Sequence, residues 1–277
     1  MDLKGKTALL TGGAGGIGRA VASRLARAGT RVVLWDVQPQ ALQAAVEEIS
    51  KDGFARGYPV DITDRRQVFE AAERVRREIG LVDILDNNAG VVFGGDFLQC
   101  SEEQILKTLR VNVEAVLWCT RAFLPGMLQR RSGCIVMMAS AAGMLGVPKM
   151  AAYSASKHAV IGFAESLRLE LRGQGHDGVR VLTVCPSFVK TGMFEGASPP
   201  MLTPWLDPGQ LADKICDGIR RDRVHVREPF MVKLVPALKA LPYPILDRAG
   251  DWLGLNSTMD HWQGRETATS RESTQRR

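Results

Sequence analysis

The stretch Thr7-Ala-Leu-Leu-Thr-Gly-Gly-Ala-Gly-Gly-Ile-Gly18 decides the fold of this chain. Its apolar beginning, up to Leu10, predicts a buried strand, and the apolar spacing that follows predicts a helix over 16–28. A glycine-rich turn between a strand and a helix brings backbone N–H groups and a helix N-terminus against a pyrophosphate. The glycines fit Thr-Gly-x3-Gly-x-Gly and, read from Gly13, Gly-x-Gly-x-x-Gly. The stretch therefore predicts a dinucleotide-binding unit.

Apolar runs alternate with helical patterns along most of the remaining chain. Further strands are predicted at 31–36, 54–60, 83–86, 134–138, 179–184 and 224–226. Further helices are predicted at 39–51, 64–79, 101–130, 151–172 and 207–222. Such alternation is typical of parallel strands with crossover helices on both faces, and the apolar strands should be buried on both sides. The fold class is α/β, a single domain with a doubly wound parallel sheet of the Rossmann type.

The domain organisation follows from breaks in this rhythm. Residues 1–228 are predicted to form the catalytic, dinucleotide-binding domain. Within it, the apolar, proline-containing stretch 187–206 is either a lid over a pocket or a loop packed on the core. Residues 229–263 are predicted to form an amphipathic C-terminal extension, and the polar tail 264–277 is expected to be disordered.

Composition excludes several classes of protein. The 277 residues are 45% hydrophobic, which is enough for a sizeable core. Five scattered cysteines without Cys-x-x-Cys argue against a disulfide framework and a zinc site, and they favour a reducing cytoplasm. The N-terminus has no signal-peptide pattern, and no apolar run approaches the ~20 residues that span a bilayer. Despite a net charge of +6, the chain carries no nucleic-acid-binding motif, and we expect no metal site.

Asp36 ends the second predicted strand, 18 residues after Gly18. A carboxylate there accepts hydrogen bonds from the ribose hydroxyls of an adenosine and repels a 2′-phosphate. Val37 follows it, and Gly15 supplies no cation. We therefore expect NAD as the cofactor rather than NADP; the alternative for Asp36 is an ordinary turn residue.

Tyr153 and Lys157 lie four residues apart, thirteen residues after Ser140. Oxidation of an alcohol requires a base for the hydroxyl proton, and a phenol with a pKa of ~10 must become more acidic to serve at neutral pH. Residues i and i+4 share one helix face, so the Lys157 ammonium can lower the pKa of Tyr153. The Ser140 hydroxyl can hydrogen-bond the substrate oxygen. His158 points away from this face by about 100°.

Together these motifs resemble the short-chain dehydrogenase/reductase family over roughly residues 4–192. Val60-Asp61-Ile62 is similar to the family's adenine contact, Asn87-Asn-Ala-Gly90 to its strand-four motif, and Pro186-x-x-Val189-x-Thr191 to its nicotinamide-side turn. The resemblance implies the catalytic set Asn112, Ser140, Tyr153 and Lys157. It implies a cofactor-binding set of Gly12, Gly15, Gly16, Ile17, Gly18, Asp36, Asp61, Ile62, Asn88, Ala89, Gly90, Tyr153, Lys157, Pro186, Val189 and Thr191.

The resemblance also implies roles and an assembly. Lys157 would additionally bind the nicotinamide ribose, and Asn112 would hold a water that relays protons. The helices at 101–130 and 151–172 would pair across a two-fold axis in a homodimer or homotetramer. Two residues depart from the family pattern: Asp86 stands where an apolar residue is usual, and Ser187 where glycine is common. A buried Asp86 needs a partner or it becomes protonated.

The substrate is expected to be hydrophobic. The candidate pocket residues, apart from the stretch 187–206, are Val91, Phe93, Leu98, Met144, Leu145, Val147 and Met150. We expect hydride transfer between NAD and a hydrophobic secondary alcohol or carbonyl of steroid, retinoid or long-chain type. The alternatives are an NADP-linked reductase of 3-oxoacyl substrates and a non-catalytic dinucleotide sensor. The basic, amphipathic stretch 229–246 either packs on protein or meets a membrane surface, which would make a cytoplasmic protein peripherally membrane-associated.

Overall fold

Seven parallel strands form one sheet in the order β3-β2-β1-β4-β5-β6-β7 in the computed structural model, which describes residues 1–264. The strands are β1 (Thr7–Thr11), β2 (Arg31–Asp36), β3 (Ala55–Pro59), β4 (Ile84–Asn87), β5 (Gly133–Met138), β6 (Val179–Pro186) and β7 (His225–Glu228). The predicted doubly wound α/β fold is confirmed.

The α-helices cover both faces of this sheet. They are α1 (Gly16–Arg27), α2 (Pro39–Ile49), α3 (Arg65–Glu78), α4 (Glu102–Leu109), α5 (Ala115–Arg130), α6 (Ala151–Gly173), α7 (Pro208–Arg220), α8 (Phe230–Leu238) and α9 (Tyr243–Trp252). Helices α1, α2 and α7 share one buried cluster with the sheet, and α3, α5 and α6 share the other. Successive strand residues point to opposite faces, so Leu9 belongs to one cluster and Leu10 to the other.

Burial differs between central and edge strands. All residues of β1, β4 and β5 are buried, as the apolar runs predict. Strand β3 differs, because it pairs only with β2 at the sheet edge and exposes part of its length to solvent.

The predicted helix at 101–130 contains an interruption. Ser101 begins α4 with the predicted capping box, in which its side chain and that of Gln104 bond each other's backbone N–H. After α4, a π-helical turn over Arg110–Glu114 separates α4 from α5. It contains Asn112, which is completely buried. Single π turns inside helices often occur at functional sites.

The strand order changes direction between β1 and β4, and crossovers from the two strands leave a crevice at their carboxyl ends. A cavity of about 760 Å³ lies there. Within residues 1–264, no helix combines the length and apolarity needed to cross a membrane.

The C-terminal residues extend the domain. Helix α8 packs on it through Val232 and Val235, which are buried. The predicted boundary at residue 228 stays a prediction. The predicted disordered tail lies outside the described residues except for Gly264, which is buried and donates its N–H to the carbonyl of Glu195 (3.3 Å).

Candidate active site

The glycine loop leaves room at the N-terminus of α1. At Gly12 the φ is +61°, and a Cβ there would lie 2.9 Å from the Cα of Ala89. A Cβ at Gly18 would lie 2.5 Å from the carbonyl oxygen of Gly12. Gly15 differs, because a Cβ there would meet no described atom within 4 Å, and this residue lines the cavity. The first turn of α1 has no capping side chain and no acidic residue. Its free N–H groups and the space above Gly15 fit a bound pyrophosphate.

Thr11 and Asn88 join this loop to the end of β4. The Thr11 hydroxyl accepts hydrogen bonds from the N–H groups of Asn88 and Ala89, both at 3.1 Å. The Asn88 amide donates to the carbonyls of Thr11 (2.9 Å) and Gly12 (3.2 Å). The glycine loop and the strand-four turn are therefore one structural unit. Sequence reasoning did not identify this role of Thr11, although its position at the start of the motif could have suggested it.

Asp36 lies on the wall of the cavity. Its carboxylate accepts hydrogen bonds from the N–H groups of Ala14 and Gln38, each at 3.1 Å. Asp36 therefore stabilises the local turn and also lines the cavity. The other predicted cofactor-binding residues, apart from Gly18, also line this cavity; they are Gly12, Gly15, Gly16, Ile17, Asp61, Ile62, Asn88, Ala89, Gly90, Tyr153, Lys157, Pro186, Val189 and Thr191. Ser187, which departs from the family pattern, lines it as well.

Ser140, Tyr153 and Lys157 line the same cavity near the end of β5. Ser140 follows β5 and begins a 3-10 turn, in which its hydroxyl accepts the N–H of Ala142 (3.2 Å). Tyr153 and Lys157 lie in the first two turns of α6, and both are buried. The Lys157 ammonium lies 5.7 Å from the centroid of the Tyr153 ring and donates to the carbonyl of Met138 at 2.7 Å.

The pKa of Tyr153 differs from the expectation. Burial raises it to about 12, and a hydrogen bond with Ser140 lowers it only in part. Burial also lowers the pKa of Lys157 to about 8. Desolvation penalises the charged form of both groups, and the expected lowering of the Tyr153 pKa by the neighbouring ammonium does not offset it. A phenolate at Tyr153 therefore requires further positive charge in the site.

Asn112 connects the π turn to the cofactor side and to α6. Its side-chain oxygen accepts the N–H of Val91, and its amide donates to the Val91 carbonyl, both at 2.9 Å. The second amide N–H donates to the hydroxyl of Ser156 (3.0 Å), which donates to the carbonyl of Tyr153 (2.7 Å). Both amide N–H groups thus bond to protein, and the predicted water-holding role stays a prediction. The sequence analysis did not identify Ser156, although it is a small polar residue only three positions after Tyr153 on the same helix.

Asp86 is buried in β4, and no described group bonds to either of its carboxylate oxygens. Burial raises its pKa to about 7. The raised pKa agrees with the expectation that a buried acid without a partner becomes protonated.

The stretch 187–206 lies over Tyr153. The Phe194 ring meets that of Tyr153 edge-on, with 6.1 Å between ring centroids. Phe188 in turn meets Phe194 (5.2 Å) and Trp205 (5.8 Å) in the same manner. The stretch therefore packs in the apolar cluster around Tyr153, and its predicted role as a lid over the substrate stays a prediction. We call residues 187–206 the lid.

The predicted pocket residues are only partly correct. Val91 lines the cavity, and Val147 and Met150 join the apolar cluster around Tyr153. Leu98, in contrast, is 95% exposed. Met144, which directly follows the 3-10 turn, is buried in the core cluster that contains α3, α5 and α6, and the partly buried Leu145 packs against that cluster. Met259 and Trp262, which the sequence did not suggest, join the cluster around Tyr153.

Residues 6–201 match the family model for short chain dehydrogenases. The chain belongs to the short-chain dehydrogenase family. It is therefore an NAD(P)-dependent oxidoreductase that acts on CH–OH groups. Among residues 1–264 of this short-chain dehydrogenase, no cluster of three or more His, Cys, Asp or Glu side chains could hold a metal ion.

This dehydrogenase resembles enzymes named for hydrophobic alcohols. It is 37% identical over 273 residues to epidermal retinol dehydrogenase 2 of Mus musculus, covering 97% of this chain and 88% of the relative. It is 38% identical over 242 residues to estradiol 17-beta-dehydrogenase 11 of Mus musculus, covering 87% and 80%. Its structure resembles a short chain dehydrogenase/reductase from Burkholderia phymatum solved in complex with NAD, with a TM-score of 0.79, 29% identity and coverage of 90% and 96%.

Proposed function

We propose that this protein transfers a hydride between NAD and a hydrophobic alcohol or its carbonyl partner, of steroid, retinoid or long-chain type. The observation that carries the proposal is the position of Ser140 and Tyr153. They line the same cavity as the glycine loop and Asp36, on the side of β5, whereas Asp36 lies on the side of β2. The similarity to relatives named for retinol and estradiol supports the substrate class.

The residues of the site divide the chemistry among them. When bound, NAD supplies the hydride acceptor at its nicotinamide ring. Ser140 donates a hydrogen bond to the substrate oxygen, and Tyr153 takes the hydroxyl proton during oxidation and returns it during reduction. Lys157 supplies positive charge beside Tyr153, which stabilises the phenolate. Because burial lowers the pKa of Lys157 to about 8, this stabilisation weakens as the pH rises through that value. The apolar cluster around Tyr153 keeps water from the reacting atoms.

Asp36 supports NAD over NADP. Its carboxylate is fixed by two backbone N–H groups on the cavity wall, where it would repel a 2′-phosphate. Gly15 and Val37 bring no cation to that end. Dissociation constants for the two cofactors test this: NAD should bind at least about tenfold more tightly, and tighter NADP binding would revive the 3-oxoacyl reductase alternative.

Turnover by the Tyr153→Phe variant tests the reaction. The wild type should reduce NAD in the presence of hydrophobic alcohols, followed at the absorbance of the reduced cofactor. The variant keeps the ring and its contact with Phe194 but loses the proton acceptor, so kcat should fall by roughly 10²–10⁴-fold while NAD still binds. Wild type that binds NAD without turning over any alcohol would favour the non-catalytic sensor instead.

Peripheral contact with a membrane is supported by the outer face of α8 and the start of α9. The inner face of α8 packs on the core, but Phe230, Tyr243 and Ile245 are 65%, 76% and 52% exposed. The Lys233 ammonium lies over the Phe230 ring and 3.7 Å from the carboxylate of Glu228, and Lys239 is exposed. Both lysines would favour anionic lipid. The five cysteines, none paired in a disulfide, support a cytoplasmic location for such a surface.

Flotation tests the membrane contact. The full chain should float with vesicles containing phosphatidylserine, and a Phe230→Glu/Tyr243→Glu variant should not, because both changes place charge in the apolar surface. Equal flotation of wild type and variant would contradict the proposal.

A further inference from the structure

The last described residues form a segment that we call the C-terminal strap, residues 253–264, and this strap is bonded to the lid. Ser198 donates its N–H to the carbonyl of Thr258 (2.8 Å), and Met201 donates to that of Leu253 (2.8 Å). In the other direction, Gln263 donates its N–H to the Glu195 carbonyl (2.9 Å). Residues 195–201 of the lid therefore share backbone hydrogen bonds with the strap, and we expect this part of the lid to move with it.

Trp262 connects the strap to two loops of the site. Its indole N–H donates to the carbonyl of Met193, which lines the cavity (3.2 Å). Its ring lies against Gly94 in the loop after β4, where a Cβ would come within 2.7 Å of the indole. The large indole therefore occupies a position that only glycine at residue 94 permits.

Met259 and Lys149 complete the enclosure. Met259 is 4% exposed and belongs to the apolar cluster of Tyr153, Phe188 and Phe194. Asp260, next along the strap, pairs with the ammonium of Lys149 at 2.6 Å, in the loop after β5. The strap thus contacts the loops that follow β4, β5 and β6, and these loops surround Tyr153.

We propose that Met259 and Trp262 determine substrate specificity by supporting the outer wall of the substrate site from behind Met193 and Phe194, which line the cavity, so that bulky apolar substrates are preferred over small ones. This inference rests on the proposed function. A substrate whose oxygen reaches Tyr153 lies beside the apolar cluster to which both residues belong. A large apolar substrate loses more water-exposed surface against this wall than a small alcohol does. The ion pair of Lys149 and Asp260 holds the strap in place.

The test compares kcat/KM for a steroid-sized secondary alcohol and a small one, such as 2-propanol, with NAD. Trp262→Ala and Met259→Ala should each lower the bulky-to-small ratio by about tenfold or more, chiefly through KM for the bulky substrate. Trp252→Ala, which removes a 73% exposed indole from α9, is the matched control and should keep the wild-type ratio. NAD affinity should be unchanged in all three, which shows that the cofactor side stays folded.

Two further variants keep the test decisive. Trp262→Phe retains an aromatic wall and should restore most of the ratio if Trp262→Ala folds poorly. The exposed ion pair should contribute less, so Asp260→Lys should raise KM for the bulky alcohol a few-fold, and Lys149→Asp in the same chain should reverse this. A wild-type ratio in folded Trp262→Ala and Met259→Ala would overturn the inference. Failure of wild type to oxidise any alcohol would overturn the proposed function instead.

Discussion

At the scale of single residues, Asp86 places a carboxyl group between two apolar partners on the neighbouring strands, Leu10 and Val136. Its folded-state pKa of about 7 lies above its usual value of 3.8, so the folded protein binds the proton more tightly than the unfolded chain. Protonated Asp86 therefore contributes to the free energy of unfolding. This contribution is complete below pH ~4 and is lost as the pH rises toward about 7.

Asp86→Leu should therefore raise the free energy of unfolding at pH 8 by up to about 4 kcal/mol, since the folded and unfolded pKa values differ by about three and each pKa unit corresponds to about 1.4 kcal/mol. The gain should shrink toward pH 4, where wild-type Asp86 is neutral when folded. Urea unfolding at pH 4.5 and 8 measures it, with Asp247→Leu on the surface of α9 as the control. A gain independent of pH would show that packing, not titration, is responsible.

At the scale of elements, the junction of α6 with the π turn depends on one hydroxyl. Ser156→Ala should cost roughly 1–3 kcal/mol, because it leaves a buried N–H of Asn112 without its acceptor. Ser154, two residues earlier, is also buried, but no described group bonds to its hydroxyl, so Ser154→Ala should be neutral or slightly stabilising. Chemical denaturation of both variants measures the difference. Equal effects would contradict the hydrogen-bonded chain from Asn112 to Tyr153.

The elements also show what the sequence could predict. Buried parallel strands such as β1 and β5 were predictable because their apolar runs require cover on both faces. The capping box at Ser101 was predictable because it is local. The π turn was not, because Arg110–Glu114 contains neither proline nor glycine to interrupt a helix. The pKa of Tyr153 was not predictable either, because the desolvation that raises it comes from the fold around it.

At the scale of the whole molecule, the contacts of Trp262 near the substrate site could not be predicted from the sequence. Trp262 meets Gly94 and Met193, which are far away along the chain, and no periodic pattern records such contacts. The glycine loop and the set of Ser140, Tyr153 and Lys157 could be predicted because their spacing follows directly from one strand, one turn and one helix face.

Assembly is a further property of the whole molecule. We expect a homodimer or homotetramer in which α5 and α6 meet their counterparts, and Leu169 on α6 is 54% exposed in the single chain. Leu169→Arg should lower the mass found by light scattering, while Leu98→Arg, outside both helices and 95% exposed, should not. Unchanged mass in the Leu169 variant would place the interface elsewhere.

In the gene of this dehydrogenase, the residues proposed for proton transfer and those proposed for substrate specificity are encoded in separate parts. The groups proposed to handle the proton lie between residues 112 and 157, whereas Met259 and Trp262 come about a hundred codons later, beyond the family match at 6–201. Recombination within the 3′ portion of the coding sequence can therefore replace Met259 and Trp262 without changing the residues proposed for proton transfer. Chimaeras joined after residue 228 offer a direct route to new alcohol oxidation catalysts on this scaffold.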